Sequence, residues 1–166
     1  MIALHDFNHL PEKEALALLT PCVALPGWAE ALVCGRPYPS RSELTIAAQA
    51  LMQRWDEASL AQALSAHPRI GEKPAGAHVE AALSRQEQGA VNDRDAALAQ
   101  ALREGNARYE ARFGRVFLIR AKGRSGEDIL QILNARLENS DAQEVQAALE
   151  QLREITLLRL EGVIHE

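Results

Sequence analysis

One stretch of this chain, VFLIRA at residues 116–121, reads as extended, and no second stretch does. A lone strand cannot make a sheet, because its backbone N–H and C=O groups need a neighbouring strand. VFLIRA is therefore either one short strand or an extended connection. Elsewhere apolar residues recur at helical spacing, with Ser, Asp, Asn or Pro ahead of the runs and Gly after several of them. Ala and Leu dominate, and aromatic residues are only 4%, which favours helix over sheet. The expected fold is all-α: a single compact domain of about seven to eight helices, with at most one short extended segment near 116–121.

Capping chemistry sets the expected boundaries. Asn8 with Pro11 opens a helix through EKEALALL to about Thr20. Pro26 starts a short helix that stops near Gly35. Ser40 or Ser42 caps ELTIAAQALMQRW, and DEASLAQALSA makes the next helix. A further helix covers about Ala77 to Val91. Asp93 opens a longer one to about Phe113, stopped by Gly114. Ser125 and Asp128 form a capping box for GEDILQILNARLEN, and Asp141 opens the last helix. No repeat, low-complexity tract or linker divides the 166 residues.

The same sequence argues against several partners. The net charge is −5 and no block of Lys or Arg occurs, so nucleic acid is not expected. No apolar run approaches the roughly 20 residues of a membrane span. MIALHDFNHL lacks a basic region before a long apolar run, and VIHE is not a peroxisomal address, so a cytoplasmic protein is expected. Cys22 and Cys34, in apolar surroundings with no CxxC, read as free buried thiols. His5, His9, His78 and His165 show no metal-ligand spacing. GxGxxG, GxxxxGK[ST] and GxSxG are all absent, which leaves no support for a nucleotide or a serine nucleophile.

Four features break the bland pattern. Arg159 falls within the apolar stripe of the last helix, Val145, Leu149, Leu152, Ile155 and Val163. A guanidinium does not lose its proton, so a buried one needs an anion, either a protein carboxylate or a substrate carboxylate. Arg136 poses the same question between Ile129, Ile132 and Leu133, and a structural pair with Glu144 or another acid is the favoured answer. Ser84, Glu87 and Gln88 share one helix face, which is either a solvated face or a grip for a small polar molecule. His67 precedes Pro68, so the helix before it should end there. An imidazole at a helix C-terminus can serve as general acid or base, or simply cap the helix.

The order of segments then becomes informative. HPRIG at 67–71 is followed by SRQEQ at 84–88, NARYEARFG at 106–114 and FLIRAKGRS at 117–125. ILNARLEN at 132–139, Glu144 and ITLLRL at 155–160 complete the series. Together they resemble the family of 2-oxo-4-hydroxy-4-carboxy-5-ureidoimidazoline (OHCU) decarboxylases over nearly the whole chain. HPxxG, SxxEQ and the terminal LRL, in that order, carry the resemblance. It implies an all-helical, cofactor-free and typically homodimeric enzyme of the last step of urate degradation, which gives (S)-allantoin. It implies that His67 is the catalytic histidine and Pro68 a neighbouring substrate contact. Ser84, Arg85, Gln86, Glu87 and Gln88 would form one substrate-binding segment, with Glu87 its important acid. Ile119, Arg120, Ala121, Lys122 and Gly123 would form a second, acting through backbone groups. Arg159 would meet the substrate from the last helix. Read without the resemblance, the helices also suit a non-enzymatic interaction module, although that leaves Arg159 and the Pro-bounded His67 unexplained.

Overall fold

The computed structural model describes residues 1–67, 69, 70, 83, 84, 86–88 and 95–166. Eight labelled helices run through them: α1 (Leu4–His9), α2 (Glu12–Leu19), α3 (Pro26–Cys34), α4 (Arg41–Met52), α5 (Glu57–Leu64), α6 (Ala96–Phe113), α7 (Gly126–Arg136) and α8 (Asp141–Val163). A 3₁₀ turn, Thr20–Cys22, extends α2. Residues 83, 84, 86 and 87 are also helical, and the rest of the helix expected at 77–91 lies outside the described residues. The chain divides into two units, Met1–Ala63 with Arg153–Glu166, and Leu64–Leu152.

Many expected caps are present. Ser40 Oγ accepts from the Glu43 N–H, and Ser125 and Asp128 form the reciprocal capping box. Gly114 ends α6 with φ 72°, a left-handed conformation that a Cβ would strain. Two further caps belong to α6 and α8. Asp95, whose side chain accepts from the Leu98 N–H, caps α6 at Ala96; Asp93, expected to open it, lies outside the described residues. The last helix α8 starts at Asp141, as expected, and Ser140 just before it exchanges bonds of 2.9 and 3.1 Å with Gln143. Asn8 is no cap at all. It lies inside α1, a helix the sequence did not announce, and its amide exchanges two 2.9 Å bonds with the Tyr38 backbone.

The first unit buries Phe7, Leu19, Trp28, Leu32, Leu44, Met52 and Leu60. Each such side chain contributes about 1.5–3 kcal/mol by leaving water. Arg36 donates to the carbonyls of Phe7 and Leu10 at 2.8 Å each, satisfying acceptors at the end of α1. Ile2–Ala3 (β1) and Ile164–His165 (β2) form a two-residue parallel pair, with Ile2 opposite Ile164. The extended segment expected at 116–121 carries no strand; it is a connection. Cys22 is buried as expected, but Cys34, at the end of α3, is exposed.

The second unit has a core of Ile70, Leu98, Leu102, Tyr109, Phe113, Phe117, Ile119, Ala121, Ile129 and Leu133. Gly105 lets α6 approach α7 closely: a Cβ there would lie 2.5 Å from Leu133 Cδ2. The helix α8 gives residues to both units. Its buried stripe runs Val145, Ala148, Leu149, Leu152, Ile155, Thr156, Arg159 and Leu160, and the expected last member, Val163, is partly exposed. No described helix is long and apolar enough to cross a membrane.

Candidate active site

His67 follows α5 by a short turn. The helix ends at Leu64, three residues earlier than expected, and the His67 N–H donates to the Leu64 carbonyl at 3.1 Å. An i to i+3 bond of this kind tightens the last turn and satisfies one terminal carbonyl. The residue is partly buried and its Nε2 atom is buried. Pro68, Arg85 and residues 71–82 lie outside the described residues.

After Pro68 the loop is tied to α6. The Arg69 guanidinium meets the Glu110 carboxylate through Nε at 2.9 and 3.1 Å and Nη2 at 2.8 Å. Ile70 buries its side chain in the core, and its carbonyl accepts from Asn106 Nδ2 at 3.0 Å.

In the SRQEQ segment Ser84 is buried, Glu87 and Gln88 are half-buried and Gln86 is exposed. Ser84 is therefore not on a solvated face. The Gln88 N–H donates to the Ser84 carbonyl at 3.1 Å, continuing the helical turn.

Residues 117–121 alternate as an extended chain does. Phe117, Ile119 and Ala121 enter one core cluster, whereas Arg120 is half-buried and Lys122 exposed. Side chains from later helices hold this backbone. Gln151 Oε1 accepts from the Arg120 N–H at 2.9 Å, and Arg136 Nη1 donates to the Leu118 carbonyl at 2.7 Å. The Arg124 N–H returns to the Ala121 carbonyl at 3.1 Å, and Gly123 takes φ 80° in that turn. Backbone groups at Arg120 and Ala121 thus already serve the protein itself.

Arg136 answers one question raised by the sequence. It forms a buried ion pair with Glu144, donating from both Nε, at 2.7 Å, and Nη2. The same carboxylate accepts from Tyr109 Oη at 2.6 Å and Asn139 Nδ2 at 3.0 Å. The guanidinium also lies 4.5 Å from the Phe117 ring centroid. Burial and the adjoining carboxylate push the Tyr109 phenol well above its ordinary value of 10.0.

Arg159 belongs to the other unit and is 4% exposed. Its Nη1 reaches the carbonyls of Pro21 and Cys22 at 3.4 Å each, the outer limit of hydrogen bonding. His67, Ser84, Glu87, Gln88 and residues 119–123 all belong to the second unit. Among the described residues, no group of three His, Cys, Asp or Glu side chains is placed to hold a metal ion.

Two residues that organise these segments escaped the sequence reading. Asn106 interrupts the apolar stripe Leu98, Leu102, Tyr109, Phe113, so the argument that singled out Arg159 applies equally to it. Gln151 carries no such signal, because its partner is 31 residues away in sequence.

A family model described as OHCU decarboxylase matches residues 8–161 of this chain. The chain is 31% identical over 146 residues to the 2-oxo-4-hydroxy-4-carboxy-5-ureidoimidazoline decarboxylase of Amia calva, covering 87% of this chain and 81% of that protein. It is 26% identical over 167 residues to the uric acid degradation bifunctional protein PucL of Bacillus subtilis (strain 168). That match covers 100% of this chain but 33% of the bifunctional protein. A crystal structure of OHCU decarboxylase in the presence of (S)-allantoin matches with a TM-score of 0.73 at 25% identity, over 92% of this chain and 97% of the other. A crystal structure of (S)-allantoin synthase shares the fold with a TM-score of 0.73 at 21% identity, over 98% of this chain and 54% of the other.

Proposed function

The chain belongs to the OHCU decarboxylase family, and from that premise we infer that it is a carboxy-lyase converting OHCU to (S)-allantoin in urate breakdown. The observation that carries the reading is the family match across residues 8–161. We further propose that it works without a metal or organic cofactor, as a cytoplasmic homodimer, with neither nucleic acid nor membrane as partner.

The substrate's chemistry makes the cofactor dispensable. One ring carbon carries a carboxylate and a hydroxyl, and the adjacent carbon is a C=N that bears the ureido group. When the carboxylate bond breaks, CO2 leaves and its electron pair moves toward that C=N. The substrate is its own electron sink, the task a pyridoxal or thiamine cofactor otherwise performs. The pair comes to rest on that nitrogen, which takes a proton. The enol then gains a proton on the adjacent carbon and loses one from the hydroxyl, so that one proton is taken up overall as CO2 leaves. The protein must orient the carboxylate, stabilise the intermediate and deliver the proton to one face.

His67 exchanges the proton, at the hydroxyl or at carbon. Glu87 hydrogen-bonds ring or ureido N–H groups and fixes the pose. Ser84 and Gln88 add polar contacts, with Pro68, Arg85 and Gln86 in the same binding region. Ile119 to Gly123 contribute through their backbone, and Arg159 holds a substrate anion or carbonyl. The burial of Ser84 and of His67 Nε2 supports these roles, since polar atoms gain electrostatic strength away from water.

The test generates OHCU enzymatically from urate and follows optical activity at allantoin's wavelength. Positioned proton transfer contributes about 10²–10⁴-fold, so His67→Ala should lose that factor at an unchanged melting temperature. Enantiopure allantoin formed at the parent rate by His67→Ala would remove the role. Full activity in a chelator is expected, and failure to enrich the (S) enantiomer at all would return the chain to the interaction-module reading.

A further inference from the structure

We propose that Asn106 and Glu110 of α6 are positioning residues that set the place of the His67 imidazole. This rests on the reading that His67 exchanges the proton. Asn106 is 4% exposed and stands in the middle of the apolar stripe of α6. Core packing alone favours an apolar residue there, because a buried amide is costly unless hydrogen-bonded. The Asn106 amide donates to the Ile70 carbonyl at 3.0 Å, while its Oδ1 is buried and has no partner among the described residues. The bond described for its amide thus holds one carbonyl, three residues after His67.

Glu110 lies one helical turn further on the same helix, and it holds Arg69 through both carboxylate oxygens. The two residues after the His67–Pro68 pair are thus tied to adjacent turns of α6. On the other side, the His67 N–H is tied to Leu64. Only Ser65 and Ala66 intervene before His67 and Pro68 after it, and the Pro ring fixes one backbone angle. Arg69, Ile70, Arg103, Asn106 and Glu110 line a cleft of about 340 Å³, so polar ties as well as close packing set this loop's place on the helix. The Arg69 and Glu110 side chains are 47% and 27% exposed, so their pair contributes little to stability and its effect falls on position.

The test compares Asn106→Leu and Glu110→Ala with the parent enzyme. Asn106→Leu suits the apolar stripe and should fold, with a melting temperature lowered by no more than roughly 2–12 °C because the Ile70 carbonyl loses its donor. Misplacing a catalytic group by ~1 Å costs roughly 10²-fold, so its kcat should fall by about that factor with KM within about twofold. Glu110→Ala, at a half-exposed position, should fold and lose about tenfold in kcat. The His67 imidazole resonance, identified by its disappearance in His67→Ala, should move in both variants. In a His67→Ala background neither substitution should slow the residual reaction further. Parental kcat in both variants, an unmoved imidazole resonance, or losses that multiply in the His67→Ala background would each overturn the proposal. If His67→Ala itself runs at the parent rate, the underlying role of His67 fails instead, and the two failures are told apart by that variant alone.

Discussion

Removing the Glu144 carboxylate should be among the most damaging single changes in the second unit. Its residue is 0% exposed and it accepts four hydrogen bonds, two from Arg136 and one each from Tyr109 and Asn139. Glu144→Leu preserves bulk but leaves a guanidinium in the interior without its anion, a loss of about 3–5 kcal/mol. Total stability for a domain is roughly 5–15 kcal/mol, so this is a large share. At about 2–4 °C per kcal/mol for a chain of this length, the melting temperature should fall by roughly 6–20 °C. The pair as a whole is worth far less than either half suggests. Arg136→Met combined with Glu144→Leu removes both charges and should recover most of the loss. Recovery should stop short by about 1–3 kcal/mol, because the Leu118 carbonyl loses its bond from Arg136 Nη1. That carbonyl adjoins the 119–123 segment, so the double variant should also raise KM for OHCU. Thermal and urea unfolding followed by helical circular dichroism measure all three proteins. A loss below about 1 kcal/mol in Glu144→Leu, or a double variant no better than the single one, would refute the desolvation argument.

Three further outcomes follow from particular residues. Tyr109 is pushed up in the folded protein from an ordinary 10.0, so its share of stability is complete below that value and lost as pH climbs beyond it. Urea midpoints at pH 8 and pH 10.5 should therefore converge in Tyr109→Phe relative to the parent, and an unchanged difference would exclude Tyr109 as the source. Gly105→Ala should lower the melting temperature despite better helix propensity, because its Cβ meets Leu133 at 2.5 Å and overpacking costs about 1–3 kcal/mol; a stabilised variant would contradict this. Arg159→Leu should weaken substrate or product binding, read as a raised KM, while the melting temperature stays equal or rises, since replacing a buried charge by an apolar residue is often neutral or stabilising. A large fall in melting temperature would make Arg159 a structural residue.

The helices were legible because their signals are local. Ser40, Ser125 and Gly114 act on backbone groups within one turn, so a short window of sequence contains cause and effect. The α1 helix escaped because it is six residues long and its Asn8 resembles a cap. What Asn8 does instead depends on Tyr38, which no local window includes.

The candidate site divides along the same line. Periodicity alone marked Arg136 and Arg159 as cations on apolar stripes, and both are buried. Sequence could not choose their partners, because distance in space is decided by packing. Arg136 found the carboxylate of Glu144, eight residues on, whereas the bonds described for Arg159 reach carbonyls near the start of the chain. His67 was marked by Pro68, yet its ties through Asn106 and Glu110 depend on where α6 lies. The sequence by itself determined the helical class, most caps, the order of family motifs and the cations that needed explaining. Tertiary structure alone decided the β1–β2 pair, the Gly105–Leu133 approach and the hold of Gln151 on Arg120. Propensity and capping act within a few residues, whereas a buried donor takes whichever acceptor the assembled core brings within about 3 Å.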